Sequence, residues 1–162
     1  MTDFGGLLRT LVDARVEFIL IGGAAGWAHG SVRLTQDLDV VYSRTADNIQ
    51  RIVTALLPLA PYLRGAPPGL PFRFDSQTVE RGLNFTLSTS LGDLDLLGEV
   101  VGGGRYEDLL PDTALLRLFG FECRCLSLER LIHVKRAAGR PKDLEAIAEL
   151  EALKEERDQP RG

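Results

Sequence analysis

Two aspartates one residue apart, Asp37 and Asp39, interrupt an otherwise apolar run, Asp37-Leu38-Asp39-Val40-Val41-Tyr42. Successive side chains of a strand point to opposite faces, so both carboxylates share one side while Leu38 and Val40 take the other. Two like charges that close repel, and a divalent cation bound between them removes the penalty. The pattern recurs at Asp95, which breaks the run Leu94-Asp95-Leu96-Leu97. Asp93 would share the face of Asp95, but the turn expected at Gly92 assigns it to a solvated rim. Upstream, Gly22 and Gly23 close the apolar run Phe18 to Ile21. Such a pair turns the chain sharply and lets backbone amides approach a phosphate with no Cβ in the way. Carboxylates for a hard cation and amides for a phosphate together suggest metal-assisted phosphate chemistry.

The elements that must position these groups follow from periodicity. Phe4, Leu7, Leu8, Leu11 and Val12 predict a helix from Asp3 to about Ala14, capped by Asp3. A buried strand over Val16 to Ile21, a short helix over Ala24 to His29 and a second strand over Leu38 to Tyr42 come next. Ala46 to Leu57 reads as a helix that Pro58 stops. Pro58 to Pro71, rich in Pro and Gly, reads as a surface connection able to lie over the site. Strands are expected over Leu83 to Ser88, Leu94 to Leu97, Leu115 to Phe119 and Glu122 to Leu126. A glycine loop at Gly102 to Gly104 precedes a short helix over Tyr106 to Leu110. Two helices, Leu128 to Ala138 and Lys142 to about Arg157, hinge at Gly139 to Pro141, and the tail beyond frays. The fold class is α/β of the α+β kind, a small mixed β-sheet flanked by helices with a C-terminal helical pair. One domain over 1–162 is expected, with a core over about 1–126 and the helices over about 127–157.

The whole-chain quantities exclude several classes. A length of 162 residues suffices to bury about two-thirds of the surface an unfolded chain exposes. A net charge of −4 leaves no electrostatic footprint for duplex nucleic acid. Cys123 and Cys125 lack zinc spacing and read as small buried hydrophobes. No charged-then-apolar leader opens the chain, and no apolar run approaches the roughly 20 residues that cross a bilayer. A cytoplasmic protein without membrane association is expected.

Gly22-Gly23, thirteen intervening residues and then Asp37-Leu38-Asp39-Val40 resemble the hallmark of the DNA polymerase β-like nucleotidyltransferase superfamily. Asp95 stands where that superfamily carries its third carboxylate, on a neighbouring strand. The segments GDLDLLGEVVGGGRYEDLL (92–110) and LIHVKRAAGRPKDLEAIAELE (131–151) are similar to small prokaryotic nucleotidyltransferase-like proteins, including toxin components of abortive-infection toxin-antitoxin systems. The resemblance implies a nucleotidyltransferase-like fold and transfer of a nucleoside monophosphate from a nucleoside triphosphate to a hydroxyl. It implies two Mg²⁺ ions, or Mn²⁺ in their place, held by Asp37, Asp39 and Asp95 as metal ligands and catalytic groups, with Asp95 also able to take the acceptor's proton. The nucleotide would meet the amides of Gly22 and Gly23, with Arg33, Thr35, Lys135 and Lys142 serving its phosphates. The acceptor is left open among tRNA, protein and a small molecule such as an antibiotic, and a cognate antitoxin is a candidate partner.

Other readings of the same residues carry less. A nucleotide-binding regulatory module would have no physical need for three acids in one cleft. A dinucleotide-binding oxidoreductase fails because the order Gly-Gly-Ala-Ala-Gly is not G-x-G-x-x-G and the acids come as a pair within a strand. His29, His133 and Trp27 read as structural. Arg140 and Asp143 are expected to shape the turn between the last two helices.

Overall fold

The computed structural model describes residues 1–160; the last two residues of the tail lie outside the described residues. The elements, in chain order, are α1 (Phe4–Asp13), β1 (Phe18–Ile21), α2 (Gly22–Ala28), β2 (Asp37–Tyr42), α3 (Ala46–Leu56), β3 (Tyr62–Leu63), α4 (Ser76–Arg81), β4 (Phe85–Thr89), β5 (Gly92–Leu97), α5 (Tyr106–Leu109), β6 (Thr113–Leu118), β7 (Phe121–Leu126), α6 (Leu128–Ala138) and α7 (Pro141–Asp158). The strands form one mixed sheet in the order β3-β4-β5-β2-β1-β7-β6. The sheet is parallel at β2/β5 and β1/β7 and antiparallel elsewhere.

Sequence chemistry accounts for most of these boundaries. Asp3 caps α1 by accepting from the Gly6 N–H at 2.9 Å. Thr45 and Ser127 cap α3 and α6 in the same way, each against the amide three residues on. Strand β1, Phe-Ile-Leu-Ile, is buried at all four positions because it lies between β2 and β7 with both faces covered. Strands β2 and β5 alternate instead: Leu38, Val40, Leu94 and Leu96 are fully buried on one face, and the aspartates stand on the other. Asn48 is a buried polar residue whose amide is fully used. It accepts from the Glu17 N–H at 2.7 Å and donates to the carbonyls of Glu17 and Ser43 at 3.0 and 2.7 Å, tying α3 to the end of the β1/β2 pair where β1 begins and β2 finishes.

Three features depart from the sequence expectation. Helix α2 starts at Gly22, so the glycine pair forms the first turn of the helix and does not precede it. The Pro- and Gly-rich connection contains β3, which pairs with β4 through Tyr62↔Ser88 and Leu63↔Leu87. Helix α4, capped by Asp75, buries only Val79, too little for a periodic signal. Cys123 and Cys125 are free and buried, as expected of small hydrophobes on one strand face. No helix among the described residues is long and apolar enough to cross a membrane.

Candidate active site

The parallel pairing of β2 with β5 sets Asp37 beside Asp93 and Asp39 beside Asp95. Because both strands present odd-numbered residues to the same face, four carboxylates form a two-by-two platform. Asp37, Asp39 and Asp95 each place one oxygen so that the three lie within 4.8 Å of one another. Thus two separate segments converge on a group able to hold a hard cation. Asp93 stands on the same face beside Asp37 but outside that group of three, more open to water than Asp37 or Asp95, as the solvated rim expected of it implies.

Asp39 carries the electrostatic cost of this arrangement. Burial, then the charges of Asp37 and Asp95, push its carboxyl up to about 8. Its Oδ1 is buried and has no hydrogen-bond partner. An orphaned buried carboxylate oxygen is expensive unless something positive reaches it. Asp95 is also raised, by burial and by its hydrogen bond with Asp37, while Arg64 pulls in the other direction. The donor set, all carboxylate oxygen, fits Mg²⁺ or Mn²⁺ and does not favour soft metals.

The glycines adjoin the acids directly. A Cβ on Gly22 would fall 2.2 Å from Asp39 Oδ2, and the residue's φ of +67° is itself in the left-handed region. A Cβ on Gly23 would fall 2.6 Å from Cβ of Thr35, whose hydroxyl donates to the Asp37 carbonyl at 3.5 Å. The first-turn amides of α2 have no intrahelical acceptors, and the absence of side chains at its first two positions keeps that turn open beside the carboxylates.

A cleft of about 610 Å³ extends from the platform. Every residue expected from sequence lines it: Gly22, Gly23, Arg33, Thr35, Asp37, Asp39, Asp95, Lys135 and Lys142. Within it Arg33 pairs with Glu145 at 3.5 Å, both ends open to water. Lys135 is mostly buried, and burial lowers its pKa against the favourable charges of Asp143 and Asp39. Leu97, Val100, Leu131 and Val134 give the cleft an apolar wall. Trp27 lies outside it, donating from Nε1 to the Arg33 carbonyl at 2.6 Å and packing edge-on to Phe4. His29 Nε2 lies 2.8 Å from the Leu126 carbonyl, and His133 is exposed on α6, so neither histidine reaches the acids.

The hinge between α6 and α7 is held by Asp143, which is buried. It accepts from Arg140 Nε at 2.6 Å and from a terminal guanidinium nitrogen at 3.2 Å, with Lys135 Nζ at 3.9 Å. Burial works against its charge, but the hydrogen bonds and charge of Arg140 outweigh burial and hold the carboxyl below its usual range. Arg140 and Asp143 therefore shape the turn as their sequence position implies, and Arg140 also faces the cleft. Replacing Asp143→Ala leaves Lys135 without its ion-pair partner. Discounted for the exposure of Arg140, the expected cost is about 2 kcal/mol. A fall in Tm of roughly 4–8 °C checks it.

The residue against the acids that sequence reasoning did not single out is Arg64. Placed immediately after β3, it donates to Asp95 Oδ1 at 2.5 Å and lies 3.5 Å from Asp93 Oδ1 and 3.7 Å from Asp37 Oδ2. Only the pairing of a two-residue strand brings it there. Nothing in the spacing of an arginine within a Pro- and Gly-rich stretch signals it.

No protein-family model and no curated protein sequence matches this chain. Solved structures do. A candidate nucleotidyltransferase from Thermotoga maritima aligns over 92% of this chain and 94% of its own, with a TM-score of 0.58 and 14% identity. The lincosamide antibiotic adenylyltransferase LnuA, bound to lincomycin, aligns over 94% of this chain and 98% of its own, with a TM-score of 0.62 and 16% identity. At such identities the likeness is one of architecture, and it spans nearly the whole of each molecule. The chain has the nucleotidyltransferase-like fold.

Proposed function

We propose that this protein is a metal-dependent nucleotidyltransferase that moves a nucleoside monophosphate from a nucleoside triphosphate, ATP among them, to a hydroxyl acceptor and releases pyrophosphate. The observation that carries this reading is the convergence of Asp37, Asp39 and Asp95, with one orphaned buried oxygen, against a helix start bare of side chains. A bound divalent cation supplies the positive charge that lets an oxygen nucleophile approach a polyanionic phosphate.

The chain's own groups do the rest. The amides of Gly22 and Gly23 receive phosphate oxygens, and Thr35 adds a hydroxyl donor at the same edge. Arg33, Lys135 and Lys142 offset the charge of the departing pyrophosphate from the cleft wall. Asp95, whose proton affinity burial keeps high, takes the proton of the acceptor hydroxyl as its oxygen bonds to the α-phosphorus. The bond to the bridging oxygen breaks in the same displacement, and pyrophosphate leaves. The apolar wall of Leu97, Val100, Leu131 and Val134 receives a flat base or a hydrophobic part of the acceptor.

The test is incubation with Mg²⁺ or Mn²⁺ and each nucleoside triphosphate labelled at the α-phosphate. The acceptors are tRNA, cell-extract protein and hydroxyl-bearing antibiotics, lincosamides included. Label on one acceptor class with stoichiometric pyrophosphate is the expected result, and mass analysis of the product names the acceptor. Nucleotide binding without label transfer to any of them would instead identify a regulatory module, whose partner, an antitoxin for example, would then be sought by co-purification.

A further inference from the structure

Arg64 is fixed from three directions. Its backbone N–H donates to the Thr86 carbonyl at 3.0 Å, continuing the β3/β4 ladder by one residue. One terminal guanidinium nitrogen donates to the Leu87 carbonyl at 3.0 Å and to Asp95 Oδ1 at 2.5 Å. The remaining nitrogens face Asp93 and Asp37. The side chain is only 29% exposed, and no other basic residue among those described pairs with the platform. Burial disfavours its charge, yet the hydrogen bond and charge of Asp95 outweigh burial, so Arg64 is cationic at any working pH.

Four carboxylates and one guanidinium leave the platform three charges short of neutral if all four acids are ionised. The uncompensated part is not spread evenly. The guanidinium hydrogen-bonds Asp95 and stands 3.5 Å from Asp93 and 3.7 Å from Asp37, its Nε without a hydrogen-bond partner, whereas Asp39, on the side of Gly22, has the orphaned Oδ1 and no cation paired with it. The cation-seeking corner of the platform is therefore the one Arg64 does not reach. The anchor to Leu87 also argues against a plug that swings aside: a guanidinium leaving Asp95 would give up its bond to the Leu87 carbonyl on β4 as well.

We propose that Arg64 is a resident cation standing in for one of the two divalent ions that the carboxylates would otherwise take. Resting on the nucleotidyltransferase reading above, this makes the site a one-ion site in the absence of nucleotide. Asp37, Asp39 and Asp95 would hold the ion. Arg64 is a positioning residue: it fixes Asp95 and Asp93 and neutralises the end of the platform beside β4.

Counting ions separates the alternatives. Free Mn²⁺ is followed by electron paramagnetic resonance during titration of the full chain without nucleotide. The wild type should bind one Mn²⁺. Arg64→Met, which removes the charge and keeps the bulk, should bind two, and Arg64→Lys should return the count to one. Arg64→Gln is titrated alongside Arg64→Met, so the result does not depend on one variant folding, and circular dichroism confirms the fold of each. Two ions on the wild type would overturn the proposal while leaving the nucleotidyltransferase reading in place. One ion on both neutral variants, whatever their affinity, would do the same. No ion on any of these proteins would overturn the metal-binding platform itself, and this proposal with it.

Discussion

The double substitution Asp37→Asn, Asp39→Asn is expected to abolish label transfer, by at least about 10³-fold, while the protein stays folded. The magnitude follows from removing ligands of a cation that contributes several kcal/mol to stabilising the charge of the transition state, at 1.4 kcal/mol for each factor of ten. Stability should move in the opposite direction. Asp39 is raised in the folded protein from 3.8 to about 8, so folding favours its protonated form. The contribution is present in full below about pH 4 and is lost as pH rises toward 8. The metal-free wild type should therefore lose Tm across that window, and the double variant should lose less and exceed the wild type by several degrees at pH 8. Mn²⁺ should raise the Tm of the wild type alone. Thermal melts at pH 5 and pH 8, with and without Mn²⁺, check these signs together. Transfer by the double variant at the wild-type rate would remove the assignment.

The second large effect is expected of Gly22→Ala. One methyl group would have to share space with Asp39 Oδ2, 2.2 Å away, on a backbone already at φ +67°. Holding alanine in that region costs about 1–2 kcal/mol before any contact is counted. The contact is relieved only by turning the Asp39 carboxylate or shifting the start of α2, and either change moves a ligand relative to the phosphate seat. Displacements of about 1 Å in such a site cost on the order of 10² in rate. Gly22→Ala should thus lose roughly 10²-fold in transfer and lower the Tm. Gly30→Ala is the control: it also has positive φ, +104°, but its nearest neighbour would be Leu153 at 3.6 Å. It should cost stability and leave the rate nearly unchanged. Equal loss of rate in the two variants would show that backbone strain, and not the Asp39 contact, is what matters.

How much of this was legible in the sequence depended on whether a residue's role was local. The alternation that put Asp37 and Asp39 on one face is a property of a single strand, and so is the burial of Leu38 and Val40. The caps Asp3 and Ser127 are equally local. The partnership of Asp95 with that pair depends on which strands become neighbours, and periodicity is silent on that; the family resemblance supplied it. Asp93 was legible as a rim residue on the face of Asp95, but its register with Asp37, set because β5 begins at Gly92 itself, is a matter of strand pairing. Arg64 was missed altogether. Its position is decided by a two-residue strand whose pairing is a tertiary event, and its surroundings in sequence look like a loop.

The register of β2 against β5 has a consequence for how errors in folding are caught. A slip of one residue along either strand would not merely blur the cleft; it would rotate acids into the interior where Leu38, Val40, Leu94 and Leu96 now lie and bring aliphatic groups out to water. Misaligned molecules are therefore penalised by the hydrophobic interior, before any nucleotide or ion is met. The oily underside of the sheet thus acts as the proofreader of the acidic upper side.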